Sequence, residues 1–291
     1  MHTIQSEHLR VCVNPIGAEL FNLTSRKTNR EYLWQGDPTW WGSRAPVLFP
    51  ILCGMRGNAY TYKGKPYTMT KHGFVRYEEF AVVDKSESRI TFEYTDNEKT
   101  REMYPFAFVF RVMFGVEGNT LTTEYRVENK SGETMYFSTG AHEAFNVMHE
   151  ASETFEDYYL EFDTDADYHS EIITPEGLID GKTYPVLLNG RILPLMHNMF
   201  DNDAVVFRNV ASKRVFLKSK KSTAFIEYDY QDAPNVGFWQ KPGAPYICIE
   251  PWFGLPDEAS HNGKIEEKYG IIPLEASGTW AWAHNIIIHE E

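Results

Sequence analysis

Residues 108–127 read FVFRVMFGVEGNTLTTEYRV, in which apolar and polar residues alternate on either side of Glu117, Gly118 and Asn119. A period of two buries one face of an extended chain and leaves the other polar, and glycine and asparagine tolerate the positive φ of a tight turn. The stretch therefore reads as a β-hairpin. Segments of the same character recur as LRVCV, RITFEYT, TMYFSTG, RVFLKS, AFIEYDY, PYICIEPW and NIIIHE. RVFLKS and AFIEYDY read as a second hairpin, turning around Lys220 and Lys221. No segment keeps an i, i+3, i+4, i+7 apolar pattern over about 12 residues, and Thr154 to Tyr158 and Ile265 to Tyr269 are expected to make a turn or two. The expected fold is all-β, with antiparallel sheets stacked as a sandwich rather than βαβ units. With no internal repeat and no Pro/Ser/Gly linker, residues 1–291 read as a single domain.

Charge narrows the partners. Asp and Glu total 41 against 28 Lys and Arg, a net charge of −13, so nucleic acid and anionic membrane surfaces, which need clustered cations, are not expected partners. The one dense basic run, Lys218, Lys220 and Lys221, reads as a solvated turn. The start MHTIQSEHLRVCV lacks a charged-then-apolar signal pattern and no apolar run reaches the 18 or more residues of a membrane span, so a cytoplasmic protein is expected. Cys12, Cys53 and Cys248 are far apart and form no CxxC or Cys/His spacing, which fits small core residues better than a metal site. In a strand, Cys248 would share a face with Glu250.

The segment YICIEPWFGLPD carries Glu250 out of an apolar run and fixes the next position with Pro251. A solvated strand end would explain it; so would a carboxylate held for proton transfer. Among ten histidines two stand out: His72 in KHGFVRYEEF, beside Gly73 and four residues before Arg76, and His142 in STGAHEAFNV. Either alone would also serve as a structural histidine. HEAFN is not HExxH, because Asn146 stands where a second histidine would be, and there is no GxSxG, GxGxxG or P-loop. What remains is a set of polar residues expected at strand ends, Arg56, His72, Arg76, His142, Asp203 and Glu250, interleaved with Trp40, Trp41, Phe74, Phe145, Trp239, Trp252 and Phe253. Flat rings beside hydrogen-bonding groups suit a sugar, although sandwich cores also use many aromatics. Trp40 and Trp41 would serve equally as a sugar platform or as a contact in a homodimer.

FPILCGMRGNAYTYKGKPY, HGFVR, STGAHEAFN, FDNDAVVF and GAPYICIEPWFGLPD follow one another from about residue 44 to residue 257. In this order they resemble the aldose 1-epimerase (galactose mutarotase-like) superfamily, and within it the LacX-like branch. The resemblance implies a β-supersandwich of large stacked antiparallel sheets and an interconversion of α and β hexose anomers without cofactor or metal. It also implies Glu250 as general base, His142 as general acid, and Arg56, His72 and Asp203 as groups that hold the sugar hydroxyls, with Asp201 the rival to Asp203. Arg76 and Trp252 are further substrate-binding candidates. Galactose-specific members of the family carry an Asn-rich stretch resembling TNHxYFN where this chain has TGAHEAFN. Glu143, next to His142, is expected to face away from it. Arg44, Arg56 and Arg76 resemble the arginines of the hexose-6-phosphate mutarotase-like branch, so the small-molecule partner is a hexose or a hexose phosphate. A carbohydrate-binding protein without catalysis, and a glycoside hydrolase or lyase using Glu250 with Asp203, are the alternatives from other classes.

Overall fold

A computed structural model describes residues 1–290 of the chain. Two large antiparallel sheets dominate it. One has nine strands, ordered Ile192–Pro194, Tyr158–Phe162, Arg214–Ser219, Ser222–Asp229, Thr279–His289, Thr120–Asn129, Phe108–Glu117, Arg89–Thr95 and Ala81–Lys85. The other has seven. In it Thr139–Gly140, Tyr246–Phe253, Asn235–Trp239, Val205–Phe207, His169–Ile173 and Ile179–Pro185 lie in order, and Glu143–Asn146 also pairs with Tyr246–Phe253. Among the described residues no helix is long and apolar enough to cross a membrane.

The two expected hairpins form with two-residue loops, Glu117 facing Thr120 across Gly118 and Asn119, and Ser219 facing Ser222 across Lys220 and Lys221. Gly118 takes a φ of 56°, in the left-handed region, whereas neither Lys220 nor Lys221 does, and a register shift between Leu217 and Ser219 accompanies their turn. Alternation then stacks the sheets. Phe162 of the nine-stranded sheet meets Phe207 and Phe238 of the other with ring centroids 6.0 and 5.8 Å apart, and Phe145 meets Tyr228 at 5.9 Å. One apolar cluster draws on residues from Ile4 to Ile288.

Even-numbered residues of Tyr246–Phe253 turn away from that cluster. Ile247 and Ile249 enter it, whereas Cys248 and Trp252 belong to two smaller clusters on the opposite face of the seven-stranded sheet. Asn235–Trp239 follows the same rule, with Val236 and Phe238 inward. Gly237 lies on the outer face beneath the Trp252 indole, where a β-carbon would come within 2.7 Å of the ring. The outer face so prepared carries the polar cavity described below.

Several elements differ from the sequence expectation. TMYFSTG divides at Ser138: Met135–Phe137 pairs with Ile272–Leu274, and Thr139–Gly140 joins the seven-stranded sheet. Ser138 is held by its own N–H donating to the Pro50 carbonyl, while its hydroxyl accepts from the Leu52 N–H at 3.0 Å. A two-turn helix, Glu98–Met103, starts at Asn97, whose side chain accepts from the Thr100 N–H while the Thr100 hydroxyl accepts from the Asn97 N–H. Thr154 to Tyr158 and Ile265 to Tyr269 do form the short turns expected of them, as the 3₁₀ turns Phe155–Asp157 and Ile265–Glu267.

Replacing Gly237 with Ala is expected to lift Trp252 off the sheet and destabilise the fold by roughly 1–3 kcal/mol, as overpacking does. Chemical denaturation followed by tryptophan fluorescence measures this; an unchanged midpoint and emission would refute the packing role.

Candidate active site

Glu250 does not end a strand. It is interior to the eight-residue strand Tyr246–Phe253, which runs on through Pro251. Proline has no N–H to donate and is normally kept out of central strands. Here it is tolerated because the neighbouring strand is interrupted beside it. On one side of the gap Gly140 lies opposite Trp252 and on the other Glu143 lies opposite Ile249. The unchanged register puts Ala141 opposite Pro251, where the Ala141 N–H donates to the Pro251 carbonyl at 3.1 Å, and puts His142 opposite Glu250. Cross-strand neighbours share a face, so both side chains turn to the outer surface of the sheet.

His142 Nε2 and Glu250 Oε2 are 3.2 Å apart, and both residues are buried. Burial pushes the Glu250 carboxyl well above its ordinary range, with the Asp203 and Glu143 charges adding to the rise and Lys71 opposing it. Burial likewise pushes His142 down to about 3, partly countered by a contact with its own backbone and reinforced by Lys71 and Arg76. The His142 ring stacks on Trp41 at 5.0 Å between centroids and meets His72 edge-on at 5.5 Å.

His72 is fixed by a reciprocal pair of bonds. Its N–H donates to the Cys53 carbonyl at 2.8 Å, and its Nδ1 accepts from the Cys53 N–H at 3.1 Å. The neutral ring therefore carries its proton on Nε2 and acts there as a donor. Burial first, then His142, Lys71 and Arg76, hold the ring well below its usual pKa and so uncharged. Gly73 allows the approach: its φ is 72°, and a β-carbon would fall 2.1 Å from the Phe49 carbonyl oxygen.

These groups line one cavity of about 480 Å³, together with Arg76, Asp203, Asp201 and Trp252. Its size is within the range of small-molecule sites. Asp203 has a φ of 83°, and one carboxylate oxygen accepts from the Ala204 N–H at 2.8 Å. Asp201 is more exposed and makes no side-chain hydrogen bond among the described residues. Trp252 is seated between Gly140 and Gly237, and its indole N–H is buried without a partner among the described residues.

Arg56 does not join them, contrary to what the resemblance implies. Its exposed guanidinium donates to the His261 carbonyl at 2.9 Å, away from the cavity lining. Arg44 is also elsewhere, lying over the Phe21 ring at 3.4 Å and bonded to the Phe21 carbonyl and Gln35 at 2.7 Å. The expected trio of arginines thus reduces to Arg76. Lys71 takes part instead, and the sequence reading passed over it because a lysine beside a turn ordinarily faces water.

His284 was another missed residue. It is fully buried, with Nε2 3.2 Å from Glu143 Oε1, while the Tyr228 hydroxyl donates to Glu143 Oε2 at 2.7 Å. Glu143 does face away from His142, as expected, and enters the sandwich interior. The period of two shared by Trp282, His284, Ile286 and Ile288 was the available signal that His284 points inward.

His142, Cys248 and Glu250 also bring potential metal-ligand atoms within 4.8 Å of one another. Burial, the Glu250 charge and the Glu143 charge push the Cys248 thiol well above its ordinary pKa.

Residues 1–267 match the family model of aldose 1-epimerase. The protein LacX (chromosomal) of Lactococcus lactis subsp. lactis is 34% identical over 286 residues, covering 94% of this chain and 95% of that protein. A galactose mutarotase related enzyme from Lactobacillus acidophilus is 33% identical with a TM-score of 0.94, over 99% of this chain and 97% of that one. A galactose mutarotase-like protein from Lactobacillus casei is 32% identical with a TM-score of 0.95, over 99% and 100%. The sheet architecture, the outer-face cavity and these similarities together lead to one conclusion: the chain belongs to the aldose 1-epimerase family.

Proposed function

We propose that the protein interconverts the α and β anomers of a free hexose by acid–base ring opening, with Glu250 and His142 as the proton-transfer pair. The observation that carries this reading is their 3.2 Å opposition at the wall of a sugar-sized cavity. Burial drives each group towards its uncharged form. Burial alone favours the proton on the carboxyl and a neutral imidazole. The charge-separated form, Glu250 carboxylate beside His142 imidazolium, holds the same number of protons and differs by one transfer within the pair. A hydroxyl donating to Glu250 stabilises the carboxylate, as Lys71 already does.

From that form Glu250 takes the proton of the C1 hydroxyl as His142 gives one to the ring oxygen. The C1–O5 bond breaks with its electrons on O5, the O1 electrons close the C1 carbonyl, and the ring opens. Rotation about C1–C2 presents the other face of the carbonyl to O5. Reclosure reverses both transfers and restores the pair. His72 Nε2–H and the Trp252 indole N–H are donors for sugar hydroxyls, Asp203 is an acceptor, and Trp41 and Trp239 provide flat surfaces along the cavity. None of these steps routes through a cofactor.

A second reading, a hexose 6-phosphate as substrate, is favoured by Lys71 and Arg76 lining the same cavity. Lys71 makes no ion pair or hydrogen bond among the described residues, and Arg76 is engaged with the neighbouring Tyr77 hydroxyl and ring. Lys71 is thus available to an anionic group, with Arg76 on the same cavity lining.

Polarimetry of freshly dissolved α-D-glucose and α-D-galactose is expected to show faster approach to equilibrium with the protein. Glu250→Gln and His142→Asn are each expected to reduce that rate by 10²-fold or more, of the order general acid–base catalysis contributes. If free hexoses are not accelerated but glucose 6-phosphate is, and Lys71→Met abolishes it, the second reading is correct. If none of them is accelerated, the enzyme reading fails.

The rate requires one proton on the pair. It is lost in acid only as His142 gains a second, near its depressed value of about 3 rather than near 6.5, and in alkali only above the raised value of Glu250. The buffer-corrected rate is expected to be flat between roughly pH 5 and 8; a half-maximal point at pH 6–7 would contradict a shared proton.

Stability responds with a defined sign. Because the folded-state pKa of Glu250 is raised, its contribution is fully present below its ordinary value of 4.5 and is lost as pH rises through the folded value. Glutamine cannot ionise. Glu250→Gln is therefore expected to raise Tm by roughly 2–5 °C near pH 8, a gain that shrinks towards pH 5; thermal scans across that range test it, and a pH-independent difference would refute the assignment.

A further inference from the structure

Beyond the catalytic cavity, the sandwich is open where both large sheets end. The edge strand of the seven-stranded sheet, Ile179–Pro185, and that of the nine-stranded sheet, Ile192–Pro194, flank a groove of about 990 Å³. The groove and the catalytic cavity share a wall made of Ile173, Asp201, Asp203 and Ala204. The two spaces therefore adjoin along Ile173 and the Asp201–Ala204 turn.

The lining has a mixed character. Tyr184, Leu187 and Met196 are 39%, 85% and 48% exposed, a large apolar surface along these two edges. Asn198, Asp201 and Asn202 are exposed beside them and make no side-chain hydrogen bonds among the described residues. An aromatic and aliphatic surface bordered by free amides and a carboxylate matches a saccharide, whose C–H faces pack on the former and whose hydroxyls bond to the latter. Charge excludes the anionic candidates. Glu171 is already paired to Arg208 at 2.6 Å, which leaves Asp201 and Asp203 as the unpaired charges of the groove, and both are negative.

We propose that this groove is a second sugar subsite, so that the preferred substrate is a neutral reducing disaccharide or longer oligosaccharide rather than a monosaccharide. The inference rests on the mutarotase reading above, because that reading fixes the orientation. C1 must lie at Glu250 and His142, so the ring edge that faces the shared wall is not the anomeric one. The chain entering the groove is therefore linked through a non-anomeric hydroxyl, and the sugar at Glu250 keeps its free C1 hydroxyl. An apolar aglycone on C1 would leave nothing to mutarotate.

The test compares glucose with maltose, cellobiose and lactose, which all present glucose as the reducing unit. Polarimetry gives KM and kcat for each with the wild type, Tyr184→Ala and Met196→Ala, two exposed positions outside the catalytic cavity. At least one disaccharide is expected to show a KM about tenfold below that of glucose, an advantage that both variants abolish while leaving glucose unchanged. If no disaccharide is preferred, or the preference survives both variants, the subsite is refuted. Calorimetric titration with the same sugars separates this failure from failure of the mutarotase reading. Tighter disaccharide binding that Tyr184→Ala removes, without turnover of any sugar, would keep the groove and discard the enzyme; equal or absent binding would discard the groove. Light scattering closes the remaining route: if the variants turn a dimer into a monomer, the groove is a subunit contact and the proposal is wrong.

Discussion

An interrupted antiparallel ladder underlies the arrangement of this site. Pro251 cannot donate, so the strand beside it must lapse, and the lapse falls at Ala141 and His142 while the register continues on either side. A histidine freed from the ladder, yet held opposite a glutamate by the strands that flank it, has little freedom to wander. Two glycines complete the surface, since Gly140 and Gly237 leave room for Trp252 to lie against the sheet. Positioning of this kind, from rigid elements rather than from loops, is what proton transfer over a few tenths of a nanometre demands.

The electrostatics follow from the same burial. Two ionisable groups placed 3.2 Å apart away from water are each pushed towards neutrality, the Glu250 carboxyl upward and the His142 imidazole downward. Behind it, on the inner face, Glu143 is held by Tyr228 and His284 and contributes to the rise of Glu250. The outer-face pair and this inner-face network are joined through the adjacent residues His142 and Glu143. Such a site is held at the expense of stability, which is common where function needs a buried charge.

Much of this was legible in the sequence. Alternating runs with Gly-Asn or Lys-Lys between them gave both hairpins, because side-chain period and turn chemistry act locally. Val205–Phe207 and Asn235–Trp239 escaped notice because strands buried on both faces do not alternate, and Gly237 reads as a break until Trp252 is seen above it. Glu250, His142, His72, Arg76, Asp203 and Trp252 do converge on one cavity. Arg56 does not, since its exposed guanidinium finds a carbonyl partner at His261. Lys71 was illegible for the opposite reason: nothing local distinguishes a lysine that faces a cavity from one that faces solvent.

The central claim is that Glu250 and His142 act as one proton-sharing unit. A double-mutant cycle on the anomer exchange rate, followed by NMR exchange spectroscopy at equilibrium, tests it most directly. If the claim holds, Glu250→Gln, His142→Asn and the double variant fall to nearly the same residual rate, because removing either partner already disables the unit. If the two losses multiply in the double variant, the residues contribute independently and the shared-proton account is wrong.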